Sequence, residues 1–129
     1  MFLGTHTPKL DEKGRFFLPA KFRDELDDGL VITRGQDRCL AIYPTETFVE
    51  MTREIAKGSV SVKKVRDYQR MLAAGASDTA PDKQGRVMIP PMLRRYAALN
   101  KEIVVVGAIT RVEAVSYTHL RAHETDSYL

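Results

Sequence analysis

Two short segments of this 129-residue chain carry the same chemistry-bearing residues. Asp11-Glu12-Lys13-Gly14-Arg15 is echoed by Asp82-Lys83-Gln84-Gly85-Arg86, 71 residues further on. Arginine offers a planar, permanently charged fork that meets phosphate or guanine with two hydrogen bonds at once. Lys13 and Lys83 stand beside the arginines and supply point charges suited to phosphate. Aspartate and glycine at this spacing close a tight turn. Asp11 and Asp82 can bond the turn backbone through their side chains, and Gly14 and Gly85 take a positive φ at no steric cost. The expectation is a β-hairpin at each motif, with Arg15 and Arg86 emerging just past the tip. Such a ribbon fits the DNA major groove. An exposed hairpin tip carries charge in any case, and Asp11 and Glu12 dilute it. A solvated or salt-bridged face therefore accounts for the same residues, and the residues alone leave both readings open.

Other chemistries find less support. Asp11 and Asp82 resemble paired carboxylates for acid–base work, but turn formation explains them without a reaction. His119 and His123 have the spacing of a metal pair, yet lack the glutamate of a zinc protease signature. No phosphate loop or dinucleotide fingerprint is present. Cys39 stands alone in the apolar run "CLAIY", which excludes an intramolecular disulfide and places it as a small core residue. The expectation is a protein that is not an enzyme, with no cofactor and no metal site.

The elements that must position the arginines are themselves doubled. Pro19 and Arg23 recur as Pro90 and Arg94, and apolar character is kept at Phe16/Val87, Phe17/Met88, Leu18/Ile89 and Phe22/Leu93. Each proline ends a strand and opens a short helix; Gly29 and Asn100 are the expected stops. Two β-like runs follow in each copy, 29–35 and 38–44, then 102–108 and 109–114. This is a tandem duplication. The segment between copies reads as two amphipathic helices. Over 44–58, Phe48, Met51 and Ile55 share a face, with Thr47 and Glu50 as a capping box and Gly58 as a stop. Over 61–76, Val62, Val65, Tyr68 and Leu72 share a face, and Gly75 ends the helix. The fold class is α+β, mostly β: two units with pseudo-twofold symmetry joined by two helices. The divisions are 1–50, 51–76 and 77–114, with 115–129 as a tail. A unit alone is too small to bury a stable core, so the two fold against each other.

Composition adds little. Hydrophobic residues at 43% and charged residues at 29% describe an ordinary globular chain, and a net charge of +3 names no partner. The first residues lack a charged leader followed by an apolar core, and no apolar run approaches the roughly 18 residues of a membrane span. The expected location is the cytoplasm, with no membrane partner.

The segments "MFLGTHTPKLDEKGRFFLPAKFRDEL" and "LVITRGQDRCLAIYP", then "DKQGRVMIPPMLRRYAAL" and "EIVVVGAITRVE", closely resemble the MraZ family of bacterial transcriptional regulators. The resemblance spans Met1 to about Glu113. It implies a double SpoVT/AbrB-like domain of swapped-hairpin character. It implies a nucleoid-associated protein that binds double-stranded DNA at its own promoter, ahead of the division and cell wall gene cluster. It further implies ring-like homo-oligomers that engage several short direct repeats. The family's DNA-facing motif maps onto Asp11, Gly14 and Arg15 and onto Asp82, Gly85 and Arg86, with Lys13 and Lys83 as supporting phosphate contacts. The same fold also serves antitoxins, so a protein-binding module is the alternative. The chain departs from the family at its end. Family members follow "RVE" with a strand end that often bears tryptophan and a further helix; this chain has no Trp. "VSYTHLRAHETDSYL" stands there instead and reads as translated sequencing-adapter sequence, a non-native tail. That places the last strand, the C-terminal helix and the ring at risk, and leaves both arginine motifs untouched.

Overall fold

Pairing across the two repeats organises the molecule. A computed structural model describes residues 1–58 and 62–118. The first repeat supplies β1 (Thr5–His6), β2 (Arg15–Phe17), α1 (Ala20–Leu26), β3 (Leu30–Arg34) and β4 (Leu40–Pro44). Two helices follow, α2 (Thr45–Ala56) and α3 (Lys63–Gly75). The second repeat then supplies β5 (Ser77–Thr79), β6 (Arg86–Met88), α4 (Pro91–Tyr96), β7 (Ile103–Gly107) and β8 (Val112–Ser116). The fold is α+β with tandem repeated units.

A six-stranded antiparallel sheet runs β1-β7-β8-β4-β3-β5, and β2 pairs with β6 in a separate two-stranded ribbon. The sheet order reads the same from either edge once repeat equivalents are exchanged. β1 joins the β7–β8 pair of the second repeat, and β5 joins the β3–β4 pair of the first. β4 meets β8 at the centre, with Leu40 opposite Ala114 and Ile42 opposite Val112. Neither repeat holds its own first strands.

The core lies between the sheet, the ribbon and helices α1 and α4. Its buried side chains come as repeat equivalents: Phe16 with Val87, Leu18 with Ile89, Phe22 with Leu93, Leu30 with Ile103, Ile32 with Val105. Phe2 and His6 pack edge-on against Phe22. Each large apolar side chain fully buried here contributes about 1.5–3 kcal/mol, and both repeats supply the cluster, so the repeats stand or fall together.

Pro19 and Pro90 cap α1 and α4, with extended backbone at φ −52° and −58°. α4 does not stop at Asn100. Ala98 takes a left-handed φ of 52°; its N–H donates to Arg95 O, and the Leu99 N–H donates to Arg94 O. That pair of bonds satisfies the last carbonyls of the helix. α1 ends before Gly29, whose φ is 146°.

α2 starts at Thr45 behind Pro44 and has no side-chain cap. Thr47 is already inside the first turn, so the expected Thr47–Glu50 capping box does not form. Phe48, Met51 and Ile55 are half-buried, and Phe48 leans on Tyr43 with ring centroids 6.0 Å apart. α3 buries Leu72 and Gly75, and Thr33 Oγ1 donates to Leu72 O at 2.9 Å, fixing α3 to β3. Cys39 is half-buried in the β3–β4 loop, its thiol facing Asp37 O, rather than in the core; burial pushes this thiol up from its ordinary pKa. β8 runs through Val115 and Ser116, both buried and paired with Val104 and Ile103, so the last strand forms. No helix among the described residues is long and apolar enough to cross a membrane.

Candidate nucleic-acid interface

Each motif folds into the same turn. Gly14 N–H donates to Asp11 O at 3.0 Å, Asp11 N–H to Arg15 O at 2.8 Å, and Gly14 sits at φ 80°. Asp11 Oδ1 accepts from the backbone N–H of Lys13 (2.9 Å) and Arg15 (2.8 Å), and Oδ2 accepts from Arg15 Nε at 2.8 Å. The second copy repeats this. Gly85 has φ 81°, Asp82 Oδ1 accepts from Gln84 N–H (2.9 Å) and Arg86 N–H (2.8 Å), and Oδ2 accepts from Arg86 Nε at 2.8 Å. The carboxyl groups of Asp11 and Asp82 are held below the usual carboxylate range, first by the backbone N–H of Arg15 and of Arg86, then by the guanidinium beside each.

The aspartates therefore aim the arginines as well as closing the turns. Each guanidinium commits its Nε edge to a carboxylate. Among the described residues, the terminal nitrogens of Arg15 and Arg86 have no hydrogen-bond partner. The side chains are 29% and 23% exposed, laid along the turns instead of swinging free. A fork held this way meets an outside acceptor with less rotamer entropy left to lose.

The ribbon brings the two motifs together. Arg15 stands opposite Met88, Phe16 opposite Val87, and Phe17 opposite Arg86. Phe16 and Val87 point into the core, so Arg15, Phe17, Arg86 and Met88 share the outer face. The arginines occupy diagonal positions, a separation of about 7–8 Å between backbones. Lys13 and Lys83 are exposed at the turn tips. One expectation is corrected. Neither turn closes a local hairpin, because its arms enter different sheets. The arm before Asp11 pairs with the second repeat, through Leu10 N–H to Lys101 O and the Lys9–Glu102 bridge, while the arm after Gly14 pairs with β6.

Arg23 and Arg94 have a role that the sequence reading missed. Arg23 Nη2 donates to Gln84 O in the other repeat's turn at 2.7 Å, and Arg94 Nε donates to Ile89 O at 3.0 Å. A Cβ on Gly14 would lie 2.6 Å from Arg94 Cζ, and one on Gly85 would collide with the Arg23 guanidinium. Leu18 N–H donates to Gly85 O and Ile89 N–H to Gly14 O, at 2.9 and 2.8 Å. Each turn is thus clamped by the opposite repeat's backbone and by one helix arginine. The recurrence of Arg four residues after Pro in both copies was the available signal.

The flanks of this face differ in charge. Beside turn 11–14 lies a cleft whose charged lining is Asp11, Glu12, Arg94, Arg95 and Lys101. The charged lining of its counterpart beside turn 82–85 is Arg23, Asp24, Asp27, Asp82 and Lys83. Asp24 and Arg95 are repeat equivalents, so the duplication has reversed the charge at one position. No group of three or more His, Cys, Asp and Glu among the described residues is placed to hold a metal ion. The His119–His123 spacing lies outside the described residues.

Comparison with known proteins gives a consistent relationship. A family model described as "MraZ protein, putative antitoxin-like" matches residues 1–71 and 72–114. The chain is 58% identical over 113 residues to the "Transcriptional regulator MraZ" of Kineococcus radiotolerans, covering 88% of this chain and 79% of that protein. The same identity and coverage hold for the protein of that name from Thermobifida fusca. The one from Paenarthrobacter aurescens is 57% identical over 113 residues, again 88% and 79% of the two chains.

Proposed function

Since this chain belongs to the MraZ family, we propose that it is a sequence-specific, double-stranded DNA-binding transcriptional regulator. Its target in this reading is the promoter of the division and cell wall gene cluster, in the nucleoid-associated cytoplasm. The observation that carries the reading is the pair of Asp-held guanidinium groups, Arg15 and Arg86, on one face of the β2–β6 ribbon. Asp11, Gly14, Asp82 and Gly85 set the two turns; Arg15 and Arg86 contact DNA through their terminal nitrogens; Lys13 and Lys83 contact flanking phosphates. The working units are 1–50 and 77–114, with 51–76 as helical connector and 115–129 outside the family's own sequence.

Mechanism follows from the charges. Every phosphate neutralised makes log K fall by roughly 0.9 per tenfold rise in salt. A bidentate arginine–guanine pair adds about 1–3 kcal/mol of discrimination. One protomer reads few base pairs and binds weakly. A ring-like homo-oligomer facing short direct repeats makes later contacts intramolecular, a gain of roughly 10²–10⁴ in avidity. Occupancy of the promoter is then the regulatory act.

A protein-binding, antitoxin-like role is the second reading, favoured by the wording of the family description. Affinity capture with this chain as bait separates the two. The proposal expects recovery of duplex fragments sharing a short repeated sequence, and a stoichiometric protein partner with no DNA enrichment would reject it.

A further inference from the structure

The outer face of the ribbon holds more than its two arginines. Phe17 is 57% exposed and Met88 49% exposed, and both are cross-strand neighbours of the guanidinium groups. The four positions form a square in which Arg15 and Arg86 take one diagonal and Phe17 and Met88 the other. Single exposed apolar residues need no explanation. Two on a four-residue face, where alternation offers solvent-facing positions to polar side chains, mark a contact surface.

Resting on the DNA-binding reading above, we propose that Phe17 and Met88 read thymine through its C5-methyl group. The major groove offers one apolar feature, that methyl, beside the O6 and N7 acceptors of guanine that suit a guanidinium. Diagonal positions on the ribbon are about 7–8 Å apart, roughly two base steps at 3.4 Å. A face that presents fork, apolar group, apolar group and fork therefore matches a short run in which thymine lies within one or two steps of guanine. A second copy is a poor occupant. Stacking two such faces about a twofold axis would bring four guanidinium groups together, with all four of the flanking carboxylate Oδ2 atoms already engaged.

The sequence-level trace of this feature is the "RFFLP" run, whose two consecutive phenylalanines cannot both face the core of a strand. Phe16 is buried and Phe17 is not. Its equivalent in the second repeat is the pair Val87, buried, and Met88, exposed. The two repeats thus keep an apolar outward residue while changing its shape.

The test uses the full chain and a duplex recovered by selection from random DNA, compared with the same duplex carrying deoxyuridine in place of thymine. Wild-type protein should bind the deoxyuridine duplex about fourfold more weakly for each methyl contacted. In Phe17→Ser and Met88→Ser, which replace exposed apolar side chains by a short polar one without a methyl group, the ratio between the two duplexes should fall toward one. A selected consensus without thymine, or equal wild-type affinity for both duplexes, overturns the inference and leaves the regulator reading standing. Equal weakening of both duplexes by the variants, or a shift in their oligomeric state on size-exclusion chromatography, also overturns it. Failure of wild-type protein to select any duplex overturns the regulator reading itself.

Discussion

Gly14→Ala probes the clamp between turn and helix most sharply. Gly14 sits at φ 80°, where a side chain costs about 1–2 kcal/mol. The new Cβ would also lie 2.6 Å from Arg94 Cζ, so the guanidinium must leave and its bond to Ile89 O at 3.0 Å is lost. For a partly exposed charged donor that loss is about 1 kcal/mol. The expected total is about 2.5 kcal/mol, which lowers Tm by about 9 °C in a chain of 129 residues. Arg94→Ala alone forfeits only the hydrogen bond. Once Arg94 is gone, Gly14→Ala pays strain but no collision, so the double variant should be less damaged than the two losses added, by about 1 kcal/mol. Chemical denaturation of the four proteins, with constant m-values, measures the cycle. Additive losses, or a Gly14→Ala cost below about 0.5 kcal/mol, would refute the claim that the helix arginine occupies the space above the glycine.

Three further outcomes follow from the same geometry. Ala98→Gly relieves the left-handed stop of α4 and should stabilise the chain by about 0.5–1 kcal/mol, read as a raised denaturation midpoint. The carboxyl groups of Asp11 and Asp82 have lowered folded pKa values, so their contribution to stability is full above the ordinary value of 3.8 and is lost as pH falls through the lowered values; an Asp11→Asn, Asp82→Asn double variant should flatten the acid limb of a midpoint-against-pH curve. Asp24→Arg copies the second repeat's Arg95 into the first, and a titration across salt should show the slope of log K against log salt steepening by about 0.9.

The duplication was legible because Asp, Gly, Arg and Pro each serve a backbone or charge requirement that few residues can replace. Strand positions followed from apolar runs, and α3 ended at Gly75 as expected. Pairing partners were not legible. Alternation says which residues face inward, but it does not say whose strand lies alongside, and here β1, β2, β5 and β6 all pair outside their own repeat. The motif arginines could be named from their turn chemistry. Arg23 and Arg94 were legible only as recurring arginines, because their work depends on a turn 61 residues away in one case and on a glycine of the opposite repeat in the other. Ala98 was missed because it ends α4 in a left-handed conformation that alanine does not favour and that the sequence would assign to Gly or Asn.

The proposed DNA contact rests on two guanidinium groups presented together by Asp-closed turns. An equilibrium titration of the selected duplex with wild type, Arg15→Ala and Arg86→Ala, with circular dichroism of each in the same buffer, tests that directly. Both variants should keep the wild-type spectrum and lose tight binding, with a weakening of at least tenfold for about 1.4 kcal/mol of lost contact. Wild-type affinity in either folded variant would contradict the account.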